Sequence, residues 1–287
     1  MSIEPTAEKL TQYYTIATEA LGEIAQSYYR LGRLGEARHL LRTVLPLIEA
    51  GEARPQDRLK LLLPYGQVLV VDHLLARRQE EAELMISTLL QAKQIAEAGP
   101  DQRALAEALC WLGQAHYFAA VVSGALVDSP SGGKYDEALG YQQQALQLRE
   151  ALHDTRGMSE SLFCIGTIYE RRQQPEQAQD YYRQARQVAQ EYNHVAEQAE
   201  PARHFAVHAL WAGDLDQALT EALLALSYRE AAPFKPYLPF DHLLLRDIYL
   251  KKGDTAQAQF HTQQASALAE EMGYPALVAS MPNLGDL

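Results

Sequence analysis

Lys134-Tyr-Asp-Glu-Ala138, Gln174-Pro-Glu-Gln-Ala178, Asp214-Leu-Asp-Gln-Ala218 and Asp254-Thr-Ala-Gln-Ala258 are four copies of one short pattern, a turn residue, a helix start and an alanine. Their alanines follow one another at intervals of 40 residues, and seven residues after each stands another alanine, at Ala145, Ala185, Ala225 and Ala265. Alanines at i and i+7 share one helical face, and their small size lets two helix axes approach closely. Gly213 and Gly253 stand just before two of the copies, where a helix end needs a left-handed residue. A fixed period of this length is the mark of a repeat architecture.

Around these copies the chain is rich in Ala, Leu, Gln, Glu and Arg, with apolar residues spaced three and four apart. Alternating strand patterns bounded by Asn-Gly or Asp-Gly turns are missing. The 287 residues are 47% apolar and 22% charged, an ordinary globular composition. A net charge of −12 without any basic cluster speaks against nucleic acid as a partner. Two cysteines, Cys110 and Cys164, are too few for a disulfide framework and suit a reducing, cytoplasmic setting. The first residues lack a basic stretch followed by an apolar core, and no uncharged apolar run is long enough to span a bilayer, so neither a leader nor a membrane is expected.

The repeats resemble the tetratricopeptide family, whose first helix carries a large residue, Leu-Gly and an aromatic, and whose second carries Ala, an aromatic and Ala. Leu109, Leu112-Gly113 and His116 fit one first helix; Leu162, Ile165-Gly166 and Tyr169 fit the next, completed by Ala178, Tyr182 and Ala185. An N-terminal copy reads Leu21, Ile24-Ala25, Tyr28, Gly32, Ala37, Leu41 and Val44, and a weaker one centres on Ala82. The resemblance implies an all-α, right-handed solenoid filling 1–287 as a single domain. It would hold about six helix-turn-helix repeats, near 6–50, 56–98, 101–152, 155–192, 195–230 and 238–272, with a cap over 273–287. The 40-residue period exceeds the family's common 34 and looks like that of bacterial regulator and sensor arrays.

Two segments break the period. Residues 119–134 form an insert with Ser123-Gly124 and Asp128-Ser-Pro-Ser-Gly-Gly133, read as a flexible surface loop that the fold could spare. Residues 232–240, Ala-Pro-Phe-Lys-Pro-Tyr-Leu-Pro-Phe, set three prolines and three aromatics between helices.

Catalytic and metal signatures fall short. Ser131-Gly-Gly-Lys134 lacks the upstream glycine and the following Ser or Thr of a phosphate loop. The cysteines have no zinc spacing, and His204-Phe-Ala-Val-His208 lacks the glutamate that would make it catalytic. No cofactor and no metal are expected.

In the family the first helices line the concave groove. Carried over residue by residue, the groove positions are Glu19, Gln26, Tyr29 and Arg30, then Glu107, Cys110, Gln114, Tyr117 and Phe118. The fourth repeat gives Glu160, Phe163, Thr167, Glu170 and Arg171, the fifth Glu200, Arg203, Val207, Leu210 and Trp211, and the last Phe240, Leu243, Asp247 and Lys251. Glu19, Glu107, Glu160 and Glu200 recur near the start of the first helix. They are read either as helix-dipole partners or as a carboxylate ladder for a basic peptide or an amine. The function expected is a non-catalytic scaffold or sensor holding a peptide or protein segment, with self-association through terminal repeats as a third reading. The alternative is a small-molecule receptor or enzyme, its pocket capped by 119–134 and 232–240, using Glu160, Glu170, Arg171, Glu200, Arg203 and His204.

Overall fold

Helix boundaries fall where the punctuating residues stand. In the computed structural model, which describes residues 6–51, 53–125, 127–129 and 133–281, the chain forms thirteen α-helices among the described residues and no strand. They are α1 (Ala7–Arg30), α2 (Leu34–Ala50), α3 (Pro55–Ala76), α4 (Ala82–Glu97), α5 (Gln102–Val122), α6 (Asp136–Ala151) and α7 (Thr155–Arg171). After them come α8 (Pro175–Glu191), α9 (Ala199–Ala212), α10 (Leu215–Ala231), α11 (Leu238–Lys252), α12 (Thr255–Glu271) and the short α13 (Leu277–Ser280). Asp101, Asp154, Asp214 and Asp254 each accept a backbone N–H three residues on, at 3.0–3.1 Å, and so satisfy a donor in the first turn. Gly213 and Gly253 end α9 and α11 at φ of 78° and 79°, the left-handed turn that a side chain resists.

The helices stack as six helix-turn-helix pairs, α1–α2 to α11–α12, in a right-handed α-solenoid with α13 in a C-terminal cap. All eight pattern alanines are buried, seven of them at 0% exposure and Ala258 at 3%. Their partners across the pair are small as well. A Cβ on Gly66, Gly113 or Gly166 would come within 2.6 Å of the side chains of Leu89, Gln142 and Tyr182 respectively. Each of these first helices thus accepts a side chain of its second helix against bare backbone. Helix α3 is long and apolar enough to cross a bilayer by length and composition, but 78% of that window is buried inside the solenoid, where it meets α1, α2, α4 and α5.

The insert departs from the expectation of a loose loop. Residues 119–122 continue α5. Asp128 is buried; it donates its N–H to the Arg171 carbonyl at 2.8 Å and accepts from the N–H of Lys134 at 3.1 Å, with the Arg172 guanidinium 3.7 Å away. Tyr135, fully buried, donates its hydroxyl to the Ala125 carbonyl. A single buried carboxylate therefore ties the segment to the end of α7. Residues 126 and 130–132, like 282–287 of the expected cap, lie outside the described residues.

A solenoid whose repeats touch only their neighbours would leave its two ends apart. Here they meet. Lys235 donates its N–H to the Arg30 carbonyl at 2.9 Å, and the rings of Tyr29 and Phe234 lie 5.2 Å apart. Beyond α12, the Tyr274 hydroxyl donates to Asp72 of α3 at 2.6 Å, a contact across 202 residues. Met272, Tyr274 and Leu277 belong to the same apolar cluster as α1 to α5. The Pro-aromatic segment and the cap close the superhelix on its own first repeats.

Candidate functional site

Closure turns the concave groove into a cavity of about 1590 Å³. Its walls are the first helices α1, α3, α5, α7, α9 and α11, with residues 232–234 and Tyr237 of the closing segment. Aromatic side chains, among them Tyr29, Trp111, Tyr117, Phe163, Trp211 and Tyr237, alternate with eight arginines.

One side of the cavity carries a continuous polar chain. Asp241 of α11 accepts from the Arg229 Nε at 3.0 Å, and Arg229 also donates to Glu200. Glu200 holds Arg203 at 2.9 Å, and Arg203 donates to the Nε2 of His204 at 2.9 Å. Glu170 of α7 then accepts from the His204 Nδ1 at 3.0 Å, the His208 Nε2 at 2.9 Å and the Tyr182 hydroxyl at 3.0 Å. Because a guanidinium only donates, the His204 Nε2 must be an acceptor, which makes that imidazole neutral with its proton on Nδ1. Burial likewise pushes the His204 pKa down. Burial raises Glu170, but its imidazole partners outweigh it and hold the carboxyl well below the usual carboxylate range. Glu200, where burial opposes Arg203 and Arg229, is held at about 2.

A second cluster lies between α5, α6 and α7. Arg149 donates to the Gly157 carbonyl at 2.9 Å, the Ser161 hydroxyl at 2.7 Å and Glu160 at 3.0 Å, and Gln114 donates to the other Glu160 oxygen at 3.3 Å. Glu107 faces the same space with no hydrogen bond or ion pair to any described residue. Burial, seconded by the Glu160 carboxylate and opposed by Arg149, lifts its carboxyl to about 7.

Two tetratricopeptide repeat family models match the chain, one over residues 132–191 and one over 18–50. The chain carries tetratricopeptide repeats. No curated protein matches its sequence. Among solved structures, a Rap protein complexed with Competence and Sporulation Factor superposes with a TM-score of 0.64 at 16% identity, over 90% of this chain and 65% of that one. The tetratricopeptide chain thus spans less than two thirds of that relative. The apo form of RapI matches with a TM-score of 0.63 at 12% identity, over 95% and 87% of the two chains. The Rap conjugation gene regulator of the plasmid pLS20, in complex with the Phr* peptide, gives 0.63 at 14% identity, over 97% and 67%. At such identities the likeness is one of fold.

The tetratricopeptide register places the expected groove residues as follows. Gln26, Tyr29, Arg30, Glu107, Gln114, Tyr117, Phe163, Thr167, Glu170, Arg171, Glu200, Arg203, Val207, Trp211, Phe240 and Asp247 all border the cavity. Glu19 does not. It lies two turns back along α1 from Gln26, exposed, and pairs with Lys60 of α3 at 2.5 Å. Cys110 and Leu210 are packed into apolar clusters, whereas Cys164 borders the cavity. The four glutamates share one repeat position, each six residues before a small first-helix residue, but they do not share a distance from the helix start. Glu200 sits in a first turn, Glu107 and Glu160 are each the sixth residue of their helix, and Glu19 is far inside α1. Dipole complementation accounts for Glu200 alone. The ladder is no row of open charges either, since Glu19, Glu160 and Glu200 are each paired with a cation.

Sequence reading missed Arg149 and Arg229, which reach the cavity from second helices. A signal was present: both stand in an Arg-Glu-Ala triplet, two periods apart, four residues after a pattern alanine. An arginine on the stripe that otherwise buries alanine must carry its charge to a buried partner.

Proposed function

We propose that the protein is a non-catalytic receptor that holds a short peptide or protein segment in its concave cavity. The observation that carries this reading is the size of the cavity. At about 1590 Å³ it exceeds the roughly 300–1,000 Å³ of sites that enclose drug-sized molecules. Its lining supports the same reading, because Trp, Tyr and Arg are the side chains that dominate binding hot spots. The Rap relative from pLS20 is in complex with a peptide, and that likeness of fold adds support. The carboxylates near Arg203 and His204 are engaged, Glu200 by ion pairs and Glu170 by hydrogen bonds, so that side of the cavity offers rigid walls.

The test is retention. Protein incubated with a random pool of soluble heptapeptides and passed through a sizing column should carry a defined subset, read by mass spectrometry. A retained small metabolite with no peptide would favour the receptor for a small molecule and overturn this reading.

A further inference from the structure

Among the described residues seven carboxylates border the cavity, and six of them have partners. Glu160 is held by Arg149, Glu197 by Arg156 at 2.5 Å, and Glu200 by Arg203 and Arg229. Glu170 is held by two imidazoles and a phenol, and Asp154 caps α7 through the Gly157 N–H. Asp247 is paired with Arg246 at 2.6 Å. Glu107 has no hydrogen bond or ion pair to any described residue, although it projects from the second turn of α5 toward the cavity. Glu107 is half-buried and its carboxyl borders the cavity, so a ligand group can reach it without breaking a contact already made.

We propose that the Glu107 carboxyl is the seat for a cationic nitrogen of the bound peptide, carried by a lysine or arginine side chain or by a free amino terminus. The proposal rests on the peptide reading of the cavity and narrows it. A cation entering elsewhere would have to displace an existing ion pair, whereas at Glu107 it gains a charge-assisted hydrogen bond and disturbs none.

The surroundings of Glu107 set the pH response. Glu160 on α7 and the cap carboxylates Asp101 and Asp154 disfavour its negative form, while Arg149 on α6 favours it. A peptide cation supplies the missing positive charge, so binding drives the carboxyl proton into solvent. Affinity then falls as pH drops below about 7, where protons compete with the cation, approaching tenfold per pH unit.

The experiment uses full-length protein, wild type and Glu107→Gln, with three heptapeptide pools. The first is N-acetylated and carries one Lys or Arg; the second has a free amino terminus and neither residue; the third is acetylated and lacks both. Glutamine keeps the shape but cannot carry the charge, and with no partner lost the variant should fold, as circular dichroism checks. The expected result is that wild type retains the first or second pool at least tenfold better than the third, the richer of the two naming the source of the nitrogen. The preference should vanish in Glu107→Gln and weaken in wild type from pH 8 to pH 6 with the acetylated Lys pool. Equal retention of all three pools, or an undiminished preference in Glu107→Gln, overturns the anchor and leaves the peptide cavity standing. If no pool is retained, the peptide reading falls. The anchor is then judged with 1,5-diaminopentane, whose failure to move the Glu107 carboxyl carbon resonance overturns it too.

Discussion

Glu107 brings a stability signature with it. The folded carboxyl titrates at about 7 against 4.5 when unfolded, so between those values the folded chain binds more protons. Its contribution is most favourable below pH 4.5 and is lost as pH rises through 7. Glu107→Gln should therefore be more stable than wild type at pH 8, by about 2–3 kcal/mol, with the gap closing by pH 4–5. Urea unfolding across that range checks it, and a gap that widens on acidification would contradict the assignment. Residues of this kind were the least legible in the sequence. The groove register could place Glu107, Glu160 and Glu200 on the inner wall, but which of them is neutralised depends on Arg149 and Arg229, which arrive from second helices. Spacing along one helix carries no record of a partner on another.

At the scale of the helix pair, the alanine pattern dictates the packing. Ala178 is fully buried, its carbonyl lies 3.2 Å from the place a Cβ on Gly166 would take, and Tyr182 fills the rest of that contact. Ala178→Leu should overpack it and cost about 1–3 kcal/mol, read as a lower thermal midpoint. An unchanged midpoint would mean that the register is wrong. This level was readable because helix period, small residues and caps all pointed to one arrangement. The insert was not, since a Gly- and Ser-rich composition reads as a loose loop whatever one buried aspartate does. Asp128→Ala would strip Arg172 of a buried partner and release the backbone N–H groups that Asp128 collects. We expect a loss of about 2–4 kcal/mol by chemical denaturation. A neutral substitution would return the segment to the status of a dispensable connector.

For the whole molecule, the step invisible in the repeats is closure. Nearest-neighbour packing predicts an open superhelix, and no periodic signal marks Tyr274 or Phe234 as residues that reach back to Asp72 and Tyr29. Tyr274→Phe removes the hydroxyl that bridges the cap to α3. It should cost about 1–3 kcal/mol and speed amide exchange selectively at the cap and the 232–240 segment. Uniform protection would show the ends to be held by apolar contact alone. Closure makes the cavity, and both of the protein's tryptophans, Trp111 and Trp211, border it. Trp211 is 45% exposed and borders the cavity, which makes it a direct reporter of occupancy. The most direct measurement is tryptophan emission and acrylamide quenching during titration with a peptide retained from the heptapeptide pools. Occupancy of the cavity predicts a saturable shift of the emission to shorter wavelength and protection of Trp211 from the quencher. Saturable binding that leaves both emission and quenching unchanged would place the peptide elsewhere and contradict the account.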